Sequence, residues 1–442
     1  MATTRRRLVR QVAGGGAGVA ALAAFAGCGA DNQSPAPASA PVTVSYHSGL
    51  AETHPSGATR IKLLEEFNQT NPHKITVDLS EGRAVTDVTK AKTLAAAGTP
   101  PQLYYTPYYS VAEFLAGGMT VEVDAALKGD REWGKLRADI FPEMLESSMW
   151  GGKVAGMPVD TNNVAMIYNT GLLQQAGVAP PKQGWTWTDF QDVAQKFVRP
   201  NIVPLSSAWA GNWRHWLATM GARIITRDAK KITADTPEML TVTQFMLDLL
   251  KRGIMQKTPD GQNALFETYQ QAKNDTVFEV QGPYRIPTLQ EKGAPPYLTI
   301  HVPVHPVKKQ IAAGNGGWSV VFFKNVPADR LRAATQVGMW MNAPYCQTQF
   351  CIRSINIPVS KATLESKEFQ EYNRANPAFK GFADLAPYGL RWPALPSFAK
   401  ISKAVDDGVI AIMREEVGAK AGLAKIQQEM QTLLDEDLRL LK

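Results

Sequence analysis

From Val42 onward the chain alternates short apolar segments with amphipathic ones, at a spacing that few architectures accommodate. Val42-Thr43-Val44-Ser45-Tyr46 has the two-residue period of a strand. Ile61, Leu64 and Phe67 share one side of a helix over 58–68, which Asn71-Pro72 ends. A strand over 75–79 follows, then a helix over 85–97 closed by Gly98-Thr99-Pro100-Pro101, a strand over 103–105 and a helix over 111–116. A second series begins near Gly156: a strand over 164–168, a helix over 187–197 capped by Thr186 or Thr188, and a strand over 202–206. Helices over 213–220 and 237–252 come next, then a strand over 318–323 and an amphipathic helix over 327–341. Leu423, Ile426, Met430, Leu433 and Leu434 keep helical spacing near the end. Strands and helices in this alternation predict an α/β fold with a largely parallel sheet. A chain of 442 residues, 44% of them hydrophobic, is long enough for two or three domains with substantial cores.

The first 28 residues follow different rules. Arg5-Arg6-Arg7 and Arg10 precede a short apolar run from Val12 to Phe25, and Phe25-Ala26-Gly27-Cys28 ends it. A charged start, a brief apolar middle and a small-residue end read as an export signal over 1–27, too short and glycine-rich for a stable membrane span. The paired arginines resemble a twin-arginine export motif. The run into Cys28 resembles a bacterial lipobox, with Phe25 where leucine is usual, so Cys28 is expected to be lipidated. Residues 28–41, rich in Ala, Asp, Asn, Gln, Ser and Pro, carry no apolar period and read as a disordered tether. The expected location is extracytoplasmic, lipid-anchored to the cell membrane.

Of the formal charge of +7, four units belong to the signal arginines. The remainder gives little support to a nucleic-acid face. Cys346 and Cys351, the two cysteines besides Cys28, are expected to form one local disulfide in an oxidising compartment. No histidine shares a metal-type spacing with them, so neither metal nor cofactor is expected.

Four signatures in fixed order carry a family resemblance. The first is Gly151-Gly152-Lys153-Val154-Ala155-Gly156-Met157-Pro158 followed by Val164-Ala165-Met166-Ile167-Tyr168-Asn169. Next come Pro180 and Pro181 with Trp185-Thr186-Trp187-Thr188-Asp189-Phe190. The third is Phe278-Glu279-Val280-Gln281-Gly282-Pro283-Tyr284, and the fourth Gly314-Asn315-Gly316-Gly317-Trp318, followed by the helix containing Trp340. Together they resemble the extracellular solute-binding proteins of ABC importers, in the sugar-binding group. The second signature has two extra residues, Tyr284 stands where relatives carry tryptophan, and Gln102 stands where they usually carry aspartate. The resemblance implies two hinge-connected α/β lobes with a ligand cleft between them. Lobe one is then 42–158 plus 317–356, and lobe two 159–316 plus 357–442. It also implies a monomer that delivers a mono- to oligosaccharide to membrane permease subunits, with no nucleic-acid partner.

Sugars are held by aromatic faces and by polar groups that take their hydroxyls. Candidate ligand contacts are therefore His47 and Ser48 after the first strand, and Thr106, Tyr108 and Tyr109 after the third. Asp160 and Asn162 lie past Pro158. Trp209 and Trp213, read here as lying in a glycine-containing loop, form an expected platform. Tyr284, Trp318, Arg391 and Trp392 complete the set. Arg214, Arg285 and Arg391 keep a glycerol-phosphate-type polyol ester open as the solute. A secreted glycoside hydrolase is the rival class, but its chemistry needs two carboxylates flanking the bond. No acid lies between Pro200 and Ile225, and no Gly-x-Ser-x-Gly, His-Glu-x-x-His or Walker sequence occurs. The chain is expected not to be an enzyme.

Overall fold

A computed structural model describes residues 41–206, 209–256, 275–291, 293 and 296–442. The export signal, Cys28 and the tether as far as residue 40 lie outside the described residues. Twelve strands run through the described part: β1 (Val42–Ser48), β2 (Ile75–Asp78), β3 (Leu103–Pro107), β4 (Met149–Trp150), β5 (Lys153–Val154), β6 (Met157–Asn163), β7 (Ala165–Asn169), β8 (Val203–Ser206), β9 (Thr276–Gln281), β10 (Tyr297–Ile300), β11 (Ala313–Phe322) and β12 (Gly389–Leu390).

They form two main sheets. The first has the order β12-β11-β3-β1-β2, with β6 also paired to β11. β1 is parallel to β2 and β3, whereas β11 runs antiparallel to both β3 and β6. The second sheet has the order β10-β7-β9-β8, its β8 and β9 parallel and the rest antiparallel. β6 leaves the first sheet at Asn163, and one residue later β7 begins the second. Val164 N donates to Gly314 O at 2.9 Å, so β11 enters alongside that crossing.

Local chemistry explains these elements. Val44 and Tyr46 alternate inward from β1, and Ile61, Leu64 and Phe67 close over them from the helix Pro55–Thr70. The helix Trp187–Gln195 starts on a capping box: Thr186 Oγ1 accepts from Asp189 N at 3.2 Å, and Asp189 Oδ2 accepts from Thr186 N at 2.8 Å. The described residues contain no helix long and apolar enough to cross a membrane.

Two expectations are corrected. Cys346 and Cys351 are free thiols, both buried. They share the helix Pro344–Ser354, where five residues at about 100° each leave them roughly 140° apart around the axis. Side chains so divergent cannot meet in a bridge. Cys346 Sγ instead accepts from Arg60 Nη1 at 3.8 Å. The tryptophan platform also fails, because Trp209, Trp213 and Trp216 lie on one helix, Trp209–Thr219. Spacings of four and three put their indoles on one face, and that face is buried. Trp213 is fully buried and donates from Nε1 to Thr243 Oγ1 at 2.9 Å. Trp209 is buried too, donating to Gln256 O at 3.1 Å.

Candidate functional site

The place where β6, β7 and β11 pass between the sheets is built on a buried polar network. Asn315, on β11, pairs with Asn163 across the ladder, and its Nδ2 donates to Asn163 Oδ1 at 2.6 Å. Its Oδ1 accepts from Thr161 Oγ1 and from Arg391 Nε, the latter at 2.9 Å. β12 runs parallel to the start of β11, with Gly314 beside Leu390, so Arg391 arrives next to Asn315. Arg391 also donates from Nη2 to Gly316 O, and to Asp160 O at 3.4 Å. Gly317 permits this approach. Its φ is +135°, and a Cβ there would stand 2.2 Å from Arg391 Nη2.

A second hub lies behind it. Asp160, fully buried, receives Tyr105 OH at 2.5 Å and Arg60 Nη2 at 3.5 Å. Burial pushes its carboxyl up to about 6, and the Arg60 charge opposes the rise. Trp318 stacks on Tyr105 with centroids 4.9 Å apart, and its ring covers Gly49. Asp160 therefore works inside the protein as the partner of Arg60 and Tyr105.

Beside the crossing strands lies a cavity of about 240 Å³. Asn162, Gly314, Asn315 and Gly316 supply one wall, Arg214, His215 and Arg223 another, and Arg391, Trp392 and Phe398 the rest. The Arg214 guanidinium sits 4.7 Å over the Trp392 ring and pairs with Asp406. Arg391 lies 4.6 Å from the Tyr108 ring. Tyr109 stacks flat on Phe398, centroids 4.6 Å apart and planes 8° apart. Burial lowers Arg391 to about 10 and raises Tyr108 to about 12. His215 falls to about 3 through burial and the neighbouring Arg214 charge, so it is neutral.

Several sequence candidates thus converge: Asn162, Arg391 and Trp392 line the cavity, with Tyr108 and Tyr109 packed against its edge. Others do not join them. Ser48 is spent on a local turn, its hydroxyl donating to Leu50 O at 2.8 Å and accepting from Leu50 N at 3.0 Å. His47 is buried 3.5 Å from Thr86 Oγ1, and burial lowers its pKa. Thr106 is fully buried on β3, opposite Ser319. Tyr284 stands apart at the end of β9, 40% exposed, its hydroxyl donating to Gln281 Oε1 at 2.9 Å. Close by, Glu279 and Arg285 form a buried pair at 3.9 Å, and burial raises Glu279 to about 7 against the Arg285 charge.

Sequence reasoning missed Arg60, Asn315 and Phe398. A signal existed for Arg60: it precedes Leu64 by four and Phe67 by seven, placing it on the apolar stripe. Among the described residues no group of three or more His, Cys, Asp or Glu could hold a metal ion.

Comparison with known proteins bears on the fold and the family. A cyclic alpha-maltosyl-1,6-maltose binding protein from Arthrobacter globiformis superposes with a TM-score of 0.76 at 17% identity, covering 90% of this chain and all of that one. The sugar-binding protein MalE from Xanthomonas citri gives 0.75 at 16% identity, covering 90% of this chain and 98% of its own. At such identities the likeness shows the fold, two α/β lobes. A probable ABC transporter-binding protein of Deinococcus radiodurans is 22% identical over 310 residues, 66% of this chain and 71% of the relative. An uncharacterized lipoprotein of Streptomyces antibioticus is 28% identical over 167 residues, 37% of this chain and only 36% of that protein's length. The family model described as bacterial extracellular solute-binding protein matches residues 62–381, and with most of its length so matched the chain belongs to that family.

Proposed function

We propose that this protein captures a carbohydrate, a mono- to oligosaccharide, between its two lobes and delivers it to the membrane subunits of an ABC importer. The observation that carries this reading is the aromatic- and arginine-edged cavity where the strands cross between sheets. Open α/β sheets bind ligands beyond the carboxyl ends of their strands, and hinge closure of two domains about a ligand is a common motion that a partner can recognise. A structural relative named for binding cyclic alpha-maltosyl-1,6-maltose, another named as a sugar-binding protein and a relative named for ABC transport support it. The boundaries 42–158 plus 317–356 and 159–316 plus 357–442 belong to the same reading, as does a monomeric state. The proposed role is binding without chemistry; Asp406, Glu143 and Asp160, carboxylates near the cavity, are each ion-paired. Arg214 and Arg391 favour a second reading, in which a phosphate-bearing polyol takes the sugar's place.

Tyr284, which stands apart from the cavity at the end of β9, tests whether the bound sugar also reaches that end of the second sheet. Gly282 and Pro283 leave β9 in a turn fixed by the proline ring, and the tyrosine ring folds back over Gly282, within 2.3 Å of where a Cβ would be. Its exposed face suits stacking on a sugar, worth about 1–3 kcal/mol by analogy with base–aromatic stacking. In calorimetry with whichever oligosaccharide of a panel raises the melting temperature without being consumed, Tyr284→Ala is expected to weaken binding roughly 5- to 150-fold. Tyr284→Phe is expected to retain most of the affinity. Unchanged affinity in the alanine variant would mean that this ring only packs.

Retention at the membrane belongs to the same proposal, with lipidation at Cys28 after twin-arginine export and residues 28–41 as the tether. One acyl chain binds membranes only marginally, so several would be needed. Cys28→Ala is expected to release the protein into the medium, and continued retention would refute the anchor.

A further inference from the structure

Around the crossing strands, acids and bases come in pairs. Arg60 meets Asp160 at 3.5 Å, Arg214 meets Asp406, Arg223 meets Glu143 at 3.0 Å and Arg227 meets Glu146 at 2.5 Å. Arg391 is the fifth guanidinium; the Asp160 and Glu143 charges reach it, but among the described residues no carboxylate forms a close ion pair with its guanidinium. Its acceptors are all neutral: Asn315 Oδ1, Gly316 O and Asp160 O, together with the Tyr108 ring face. Glu143 approaches only its backbone, accepting from Arg391 N at 3.0 Å, while its carboxylate is already engaged by Arg223 on both oxygens. Arg391 is 2% exposed, its Nη1 makes no hydrogen bond, and it lines the 240 Å³ cavity.

The charges of Asp160 and Glu143 act on Arg391 from a distance, but no carboxylate oxygen bonds its guanidinium, and an anion brought into direct contact would relieve part of the cost of burying it. Guanidinium matches carboxylate and phosphate oxygens in a planar fork, which neutral hydroxyls do not exploit as fully. The neighbours reinforce the sign. Arg214 and Arg223 border the same cavity, His215 is uncharged, and the acids near it, Asp406, Glu143 and Asp160, are each already ion-paired. Trp392 and Phe398 supply apolar surface for a ring or carbon chain.

We infer that the solute carries an acidic group, a carboxylate or phosphate on a sugar or polyol, and that Arg391 receives it. This rests on the reading of the cavity as the solute site. The acid supplies the direct anionic contact that the Arg391 guanidinium lacks, so the solute adds to the electrostatics of the crossing strands as the lobes close over it. The specificity this creates is for charge, with the ring or chain read by the aromatic edge.

Calorimetry on the unmodified protein tests the inference with matched probes. Glucuronate and galacturonate are compared with their amides, glycerol 3-phosphate with glycerol, and maltotriose serves as a neutral oligosaccharide. An acid is expected to bind at least about 30-fold more tightly than its neutral match, ~2 kcal/mol. A preference for the uronates identifies the carboxylate, and a preference for glycerol 3-phosphate the phosphate. In Arg391→Gln, if it folds, acid and amide should bind within a few-fold of each other. A preference that survives in that variant removes Arg391 from the assignment. Binding of maltotriose, or of acids and amides alike, overturns the acidic solute while leaving carbohydrate capture standing. A panel with no binder overturns both readings.

Discussion

Replacing Arg60 with methionine is expected to cost about 3–5 kcal/mol of stability above pH 7, the usual loss when one member of a buried ion pair is removed. Neither side chain of the Arg60–Asp160 pair exceeds 1% exposure. Arg60 also lies 3.8 Å over the Phe350 ring and bonds Cys346, so methionine replaces much of its volume but none of its charge. The loss should depend on pH, and the sign follows from Asp160. Its carboxyl titrates near 6 in the folded protein instead of its ordinary 3.8, because burial disfavours the charged form more than Arg60 favours it. An acid raised in this way withdraws stability as pH climbs from its unfolded value through its folded one. Without Arg60 the rise is larger, so the variant falls further behind the wild type as pH passes 6. Urea unfolding at pH 5 and at pH 8 measures this. Equal losses at the two values would show that packing, not charge, is what Arg60 supplies.

Trp213→Ala is expected to be as damaging, about 3–5 kcal/mol, because a fully buried indole leaves a cavity that rigid neighbours cannot fill. Thr243 Oγ1 would also lose its donor at 2.9 Å. Leu217, Met239 and Met246 share that core, and Trp216 packs there against Trp187 and Phe190. The readout is the urea midpoint, with solute affinity measured on the folded fraction. A ligand platform would show the reverse pattern, lost affinity with the midpoint held, and that result would refute the core assignment.

The alternation of strand and helix was legible because each element carries its own period. The expected strand at 42–46 is the core of β1, and the capping box at Thr186 chose between two candidate residues. Reading the Trp209–Trp216 stretch as loop was an error of period: Gly211 drew attention from the four-and-three spacing that makes one buried face. The cavity was only half legible. Asn162, Arg391 and Trp392 stood out by residue type, but Phe398 and Asn315 reach it through crossings that bring distant segments together. Arg60 was hidden for another reason. A charged residue on an apolar stripe is assumed to reach solvent, and only tertiary contact with Asp160 shows that it does not.

The place of β11 in the first sheet bears on how the protein is made. It sits between β3 and β6, yet its residues come at 313–322, long after both neighbours have been synthesised. Pairing across so much sequence is slow, since the intervening chain must be organised before the contact repays its entropy. During that interval β3 and β6 present open edges capable of recruiting other strands. A growing chain therefore cannot bank its N-terminal half as a finished unit, and the second sheet has time to form while the first still waits for its middle. The same topology that passes strands between the two sheets commits the nascent protein to a late closing step, and makes the period before residue 322 emerges the one in which it most needs protection from its own edges.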